Sequence, residues 1–137
     1  MKISNSEMAY IKELSNQTNV LATKSFEIDN IVAYLVKPED VSKAIGKGGT
    51  NVKNLSKKLN KKIEIYEDTD DLQIFLEKAL KGAKIKNLEV QEKENEKTLS
   101  FALDSEAKAK LLNNSKKIKV LKEILNNKYK IKNMKIK

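Results

Sequence analysis

Apolar residues recur at helical spacing in the first segment, SNSEMAYIKELSNQT, where Met8, Ile11 and Leu14 join Tyr10 on one stripe. Ser4 stands three residues before Glu7, the spacing of a capping box, so a helix is predicted to begin there. The next stretch, NVLATKSFEIDNIVAYLV, changes to two β-rich runs broken at Asp29-Asn30, which predicts a tight hairpin. PEDVSKAI returns to helix: Pro38 suits a first turn, and Glu39 and Asp40 favour the positive end of the helix dipole. After a cluster of glycines, TNVKNLSKKLN puts Val52, Leu55 and Leu59 on one helical face, and KKIEIYE alternates as a strand. The predicted order is helix, strand, strand, helix, glycine loop, helix, strand.

That order repeats. DTDDLQIFLEKALKG reads as a helix stopped by Gly82, with Asp70-Asp71 at its start. AKIKNLEVQ and EKTLSFAL read as strands around a polar KEN turn. DSEAKAKLL and KKIKVLKEILNN read as helices, and KYKIKNMKIK as a closing strand. At a constant offset of 66, Met8 meets Ile74, Leu14 meets Leu80, Ile45 meets Leu111, and Val52 meets Ile118. Leu55, Leu59 and Ile65 likewise meet Leu121, Leu125 and Ile131. Apolar matches spread along both halves indicate a duplication. The boundary is expected around Asp68, with a first domain over 1–68 and a second over 69–137.

Composition narrows the chemistry. With 137 residues, no cysteine and no histidine, the chain has no disulfide or thiolate chemistry and lacks the usual neutral-pH general base. No catalytic residue, metal ligand or cofactor site is predicted. Paired acids stand at predicted helix starts, where capping accounts for them. No apolar run approaches the ~18–20 residues of a membrane helix, and the N-terminus lacks the apolar core of a secretory signal. These features predict a cytoplasmic protein that does not engage a membrane.

All 28 basic residues are lysine, so anion recognition must rely on ammonium charges and backbone amides without guanidinium forks. The net charge of +9 is segregated. From Val41 to Ile63 there are seven lysines (43, 47, 53, 57, 58, 61 and 62) and no acid. From Ser105 to Lys137, eleven lysines face only Glu106 and Glu123. Such windows favour a polyanionic partner, and the lack of an aromatic-rich amphipathic face favours nucleic acid over membrane.

The glycines sit inside the first basic window. AIGKGGTN places Gly46, Gly48 and Gly49 around Lys47. A Walker loop needs GxxxxGK[ST] after a strand, and no GK[ST] tripeptide occurs. A dinucleotide fingerprint would need glycine at 51, where Asn stands. What remains is a GxxG turn between two helices. Glycines there let a phosphodiester approach the backbone, the helix starting near Thr50 adds its positive end, and Lys47 adds a charge. Lys43 and Lys53 flank the loop, and Ile45, Val52 and the strand around Ile63 and Ile65 would floor an apolar groove beside it.

This arrangement resembles the KH family, whose GxxG loop joins two helices and clamps about four nucleotides of a single strand. The helix-first order matches the type II, prokaryotic form. The resemblance implies an α+β protein of two tandem type II KH domains, each αββααβ with a three-stranded sheet covered by helices. Further matches in SNSEMAYIKELSNQT, IVAYLVKPED–AIGKGGTNVKNL and KKIEIYEDTDDLQIFLEKAL make the chain similar to the archaeal-type NusA transcription factor family. That resemblance implies a non-enzymatic single-stranded RNA-binding protein, a monomer acting in transcription termination or elongation. RNA polymerase or the transcription complex is a candidate further partner. The candidate RNA-binding residues are Lys43, Ile45, Gly46, Lys47, Gly48, Gly49, Thr50, Asn51, Lys53, Lys57, Ile63 and Ile65.

Family members commonly carry a second GxxG, but the offset of 66 places Leu112-Asn113-Asn114-Ser115 there. Asparagine tolerates left-handed backbone to a degree, while Leu112 adds bulk and Ser115 loses the freedom of Gly49. Asn113, Asn114, Ser115, Lys116, Lys117 and Lys119 therefore form a secondary, mainly electrostatic RNA-binding set. Tyr66 and Tyr129, at strand ends, are candidates to stack a base. Two other classes compete: an RNA-binding component of ribosome assembly or RNA processing, and a nucleotide-using enzyme, against which the glycine spacing argues.

Overall fold

The computed structural model describes residues 5–137 and divides the chain into two compact units, Met1–Asp70 and Asp71–Lys137. The capping box expected from Ser4 lies outside the described residues.

In the first unit, helix α1 (Asn5–Thr18) turns Leu14 into the core, with Tyr10 and Ile11 packed against it. The helix closes on its own side chains. Thr18 Oγ1 donates to the Leu14 carbonyl at 2.8 Å and accepts from the Val20 amide at 3.1 Å. Strands β1 (Lys24–Ile28) and β2 (Ile31–Val36) form the expected antiparallel hairpin, turned at Asp29 with φ 52°. A single helical turn at Pro38–Asp40 leads into α2 (Val41–Ile45), and α3 (Thr50–Leu59) follows the glycine loop. Asn60, at φ 55°, ends α3 in left-handed backbone and releases the chain into β3 (Lys62–Glu67).

β3 runs parallel to β2, pairing Val32 with Ile63 and Tyr34 with Ile65. A parallel pair needs a crossover that a short turn cannot supply. Here α2, the glycine loop and α3 make that crossover, so the loop's position follows from the sheet topology. The sheet order β1-β2-β3 leaves β3 at an edge. Val32, Tyr34 and Val36 meet Leu14, Val20, Ala22, Ala44, Leu55 and Ile63 in one apolar cluster. The one polar group carried in by Tyr34 is satisfied, its hydroxyl donating to the Tyr10 carbonyl at 2.8 Å.

The second unit repeats the order αββααβ. Asp71 caps α4 (Leu72–Ala79), its side chain accepting from the Ile74 amide at 3.1 Å. The expected stop at Gly82 begins one residue earlier, because Lys81 already has φ 57°, and the Gly82 amide reaches the Glu77 carbonyl at 2.8 Å. β4 (Lys86–Lys93) and β5 (Glu96–Ala102) join through Glu94 and Asn95. Their φ values of 54° and 66° match the right-handed twist of a two-residue hairpin. Asp104 caps α5 (Ser105–Leu112) at the Ala107 amide, 2.8 Å away; α6 (Ser115–Tyr129) and β6 (Ile131–Ile136) follow, with β6 parallel to β5. The second sheet has the order β4-β5-β6.

One expected element is longer than its repeat. α6 has 15 residues against the 10 of α3 and ends at Tyr129, where the sequence pattern had begun a strand at Lys128. Tyr129 is held in the helix by packing on Phe75, ring centroids 5.6 Å apart. The offset of 66 therefore fails at the last strand. Ile65 faces Tyr34, whereas Ile131 faces Lys97, the counterpart of Ile31. By sheet register the counterparts of Ile63 and Ile65 are Asn133 and Lys135.

Candidate nucleic-acid interface

The loop between α2 and α3 is a left-handed turn that only its glycines make easy. Gly46 has φ 81° and ψ 164°, Gly48 φ 63° and Gly49 φ 77°. The three have different duties. A Cβ at Gly46 would fall 2.8 Å from Asn51 Cγ, so that glycine is demanded by packing inside the loop. At Gly48 nothing lies within 4 Å, so this position presents bare backbone to open space. At Gly49 the nearest atom is Lys53 Cε, 4.0 Å away, which lays the Lys53 stem beside the loop. Hydrogen bonds from the Gly46 amide to Ser42 (2.9 Å) and from the Gly49 amide to Gly46 (3.1 Å) close the turn. The first two side chains of α3 reach back to brace it. Thr50 Oγ1 donates to the Lys47 carbonyl at 2.6 Å, and Asn51 Nδ2 donates to the Lys43 carbonyl at 2.9 Å.

The linear window without acids is not free of acids in space. Lys58 pairs with Glu13 of α1 at 2.8 Å, Lys61 with Glu27 of β1 at 2.9 Å, and Lys62 with Glu64 at 3.5 Å. The Lys61 contact, with a hydrogen bond from Tyr10, holds the Glu27 carboxyl below its usual range. Lys43, Lys47, Lys53 and Lys57 are exposed, and among the described residues none of them forms an ion pair. Lys53 and Lys57 stand four apart on one side of α3. Among the described residues, three of the seven lysines thus have carboxylate partners, and four stand exposed without one on α2, the loop and α3.

The apolar candidates also divide. Ile45 and Val52, on either side of the loop, are half-buried; Val52 and Ile65 pack on the rim of the core. Ile63 is inside it, 6% exposed, so its side chain cannot meet a ligand without opening the core. α2 and α3 both pack against β3, which brings the loop, Ile45, Val52 and Ile65 to one side of the edge strand. Tyr66, a candidate for stacking, is 4% exposed and donates to Glu64 Oε1 at 2.6 Å. Burial and that carboxylate push its phenol pKa far up. It is a core residue with a satisfied hydroxyl, and the stacking expectation is withdrawn. Tyr129 is half-buried, with its ring packed against Phe75.

The second unit's turn is built differently. Asn113 has φ −83° and Asn114 φ −115°, and no residue from 112 to 115 has a positive φ. The Asn114 side chain caps α6 by accepting from the Lys117 amide at 3.0 Å, which occupies a donor that an anion would need. Leu112 is 53% exposed where Gly46 stands in the first unit. Ser115 opens α6, and Lys116, Lys117 and Lys119 lie in its first turns. Among the described residues, no group of histidine, cysteine or acidic side chains could hold a metal ion. No described helix is long and apolar enough to cross a membrane.

A model of the KH domain family matches residues 9–95, the glycine loop within them. The chain belongs to the KH domain family. Among similar proteins is a probable transcription termination protein NusA of Methanococcus vannielii, 34% identical over 76 residues, which are 56% of this KH chain and 44% of that protein. The chain thus spans less than half of that relative's length. The protein of the same name from Halococcus morrhuae is 28% identical over 100 residues, 73% of this chain and 70% of its own. The one from Methanocaldococcus jannaschii is 50% identical over 48 residues, 35% of this chain and 26% of that one. The crystal structure of APE1850 superposes with a TM-score of 0.89 at 26% identity, covering 98% of this chain and all of that one. These matches put the chain among archaeal-type NusA-like KH proteins, the family its sequence resembles.

Proposed function

We propose that this KH protein binds single-stranded RNA through its first unit, gripping the sugar-phosphate backbone at Gly46–Gly49, and acts as a binder without chemistry of its own. The observation that carries this reading is Gly48: bare, left-handed backbone facing open space, with Lys43, Lys47, Lys53 and Lys57 exposed around it. A phosphate there meets ammonium charges and the positive end of α3, while bases lie toward Ile45, Val52 and the β3 edge. The second unit adds positive charge and holds the RNA backbone without reading bases, because its turn has no positive φ and Asn133 and Lys135 replace the apolar strand positions. The archaeal relatives carry the name probable transcription termination protein, which supports a transcription-related setting; nascent RNA as the ligand, a role in termination or elongation and a cytoplasmic location are part of this proposal.

The test exchanges the two turns' central residues in parallel. Lys47→Asp with Gly48→Asp is expected to weaken binding of an unstructured oligonucleotide about 100-fold, roughly 2.7 kcal/mol. Asn113→Asp with Asn114→Asp is expected to weaken it less than about threefold. Fluorescence anisotropy at fixed salt reads both. A larger loss from the second pair would overturn the division of labour. Binding only to a folded ribosomal RNA would favour an assembly role instead.

A further inference from the structure

We infer that Asn51 is a positioning residue: its side-chain amide is a latch that holds the glycine loop in its left-handed form before any RNA arrives. The inference rests on reading Gly46–Gly49 as the backbone clamp. α2 is only five residues long and ends when Gly46 leaves helical backbone. A helix cut short in this way leaves its last carbonyls without the amide four residues on. The Ser42 carbonyl is met by the Gly46 amide, but the Lys43 carbonyl is met by Asn51 Nδ2, which reaches back across the whole loop at 2.9 Å. The same side chain fills the volume beside Gly46, where an added Cβ would lie 2.8 Å from Asn51 Cγ and 2.9 Å from Nδ2. One amide group thus caps α2, packs on the first glycine and ties the start of α3 to the end of α2.

The second unit shows the alternative. The counterpart of Lys43 is Ala109, and its carbonyl accepts from the backbone amide of Asn113 at 3.0 Å, the ordinary helical bond. The counterpart of Asn51 is Lys117, which carries no side-chain amide, and the carbonyl it would have to meet already has its backbone partner. There the helix continues to Leu112 and the turn keeps negative φ. Latch and left-handed loop occur together in one unit and are missing together in the other. A clamp held ready spares the RNA the cost of ordering it, so loss of the latch weakens binding although Asn51 need not touch RNA.

The four glycines make the test direct, because Gly82 in the other unit serves as an internal reference. In the free protein, Asn51→Ala is expected to shift the amide resonances of Gly46, Gly48 and Gly49 and to speed hydrogen exchange at Gly46 and Gly49 about tenfold, leaving Gly82 unchanged. Affinity for an unstructured oligonucleotide falls about tenfold with little change in the unfolding midpoint. Asn51→Asp keeps the shape and removes the donor, so it reproduces the free-protein changes even if the alanine variant folds poorly. Unchanged glycine amides with weakened binding would make Asn51 a direct RNA ligand and overturn the latch. Perturbed glycines with unchanged affinity would overturn its role in binding. If the wild type binds no RNA while both variants still disturb the glycines, the clamp reading fails and the latch stands.

Discussion

The turn joining α2 to α3 and the turn joining α5 to α6 occupy the same place in the same topology, yet the first is built on positive φ and the second on negative φ. In the first, three glycines at positive φ expose main chain to open space; in the second, asparagine and serine keep negative φ, and Asn114 spends its side chain capping α6. The apolar positions beneath are alike, since Leu55 and Leu121 are both fully buried at the offset of 66. The difference teaches that the fold and the clamp have separate requirements. Buried leucines and a parallel strand pair maintain the crossover, and they are indifferent to what the turn exposes. The proposed clamp rests on a few turn residues that the crossover does not need, since the second unit keeps the crossover without them.

That separation can be attacked from the core outward. Leu55→Ala and Leu121→Ala are each expected to destabilise the chain by about 2–5 kcal/mol, the usual cost of deleting a buried leucine. Denaturant unfolding reads the loss. A cost below about 1 kcal/mol at one site alone would break the equivalence of the two cores.

The lysines sharpen the comparison further. Replacing Lys43, Lys47, Lys53 and Lys57 together by alanine should flatten the slope of log affinity against log salt by about 0.7 for each phosphate that is no longer neutralised. Replacing the ion-paired Lys58, Lys61 and Lys62 should change that slope far less. Equal changes would mean that the ion pairs do not divide the lysines in solution.

The smallest effect is expected at Tyr66. Tyr66→Phe removes the bond to Glu64 and should cost about 1 kcal/mol of stability with RNA affinity unchanged. A selective loss of RNA binding would return Tyr66 to the interface.

Much of this was legible in the chain. Apolar spacing located the helices and strands of both units, and Asp29-Asn30 and KEN marked the two hairpin turns. The glycine loop stood out because three of four glycines fall in four positions. The end of α6 was not legible, because Lys128-Tyr129 suits a strand as well as a last helical turn until Phe75 packs on the ring. Tyr66 looked available because a strand-end position does not reveal which face is covered. That Asn51 braces the loop was not legible, because nothing local shows that its amide meets a carbonyl eight residues earlier.

By itself the sequence determined the element order, the duplication, the single glycine-rich turn and the absence of arginine. These depend on residue type and spacing, which act over a few positions. Only the tertiary structure decided which lysines are open, which isoleucines are core and which asparagine braces the loop. Glu13 and Glu27 reach lysines more than thirty positions away because α1 and the hairpin fold back beside α3 and β3. Charge pairing and burial depend on distance in space, and the crossover that brings those segments together is a property of the whole unit.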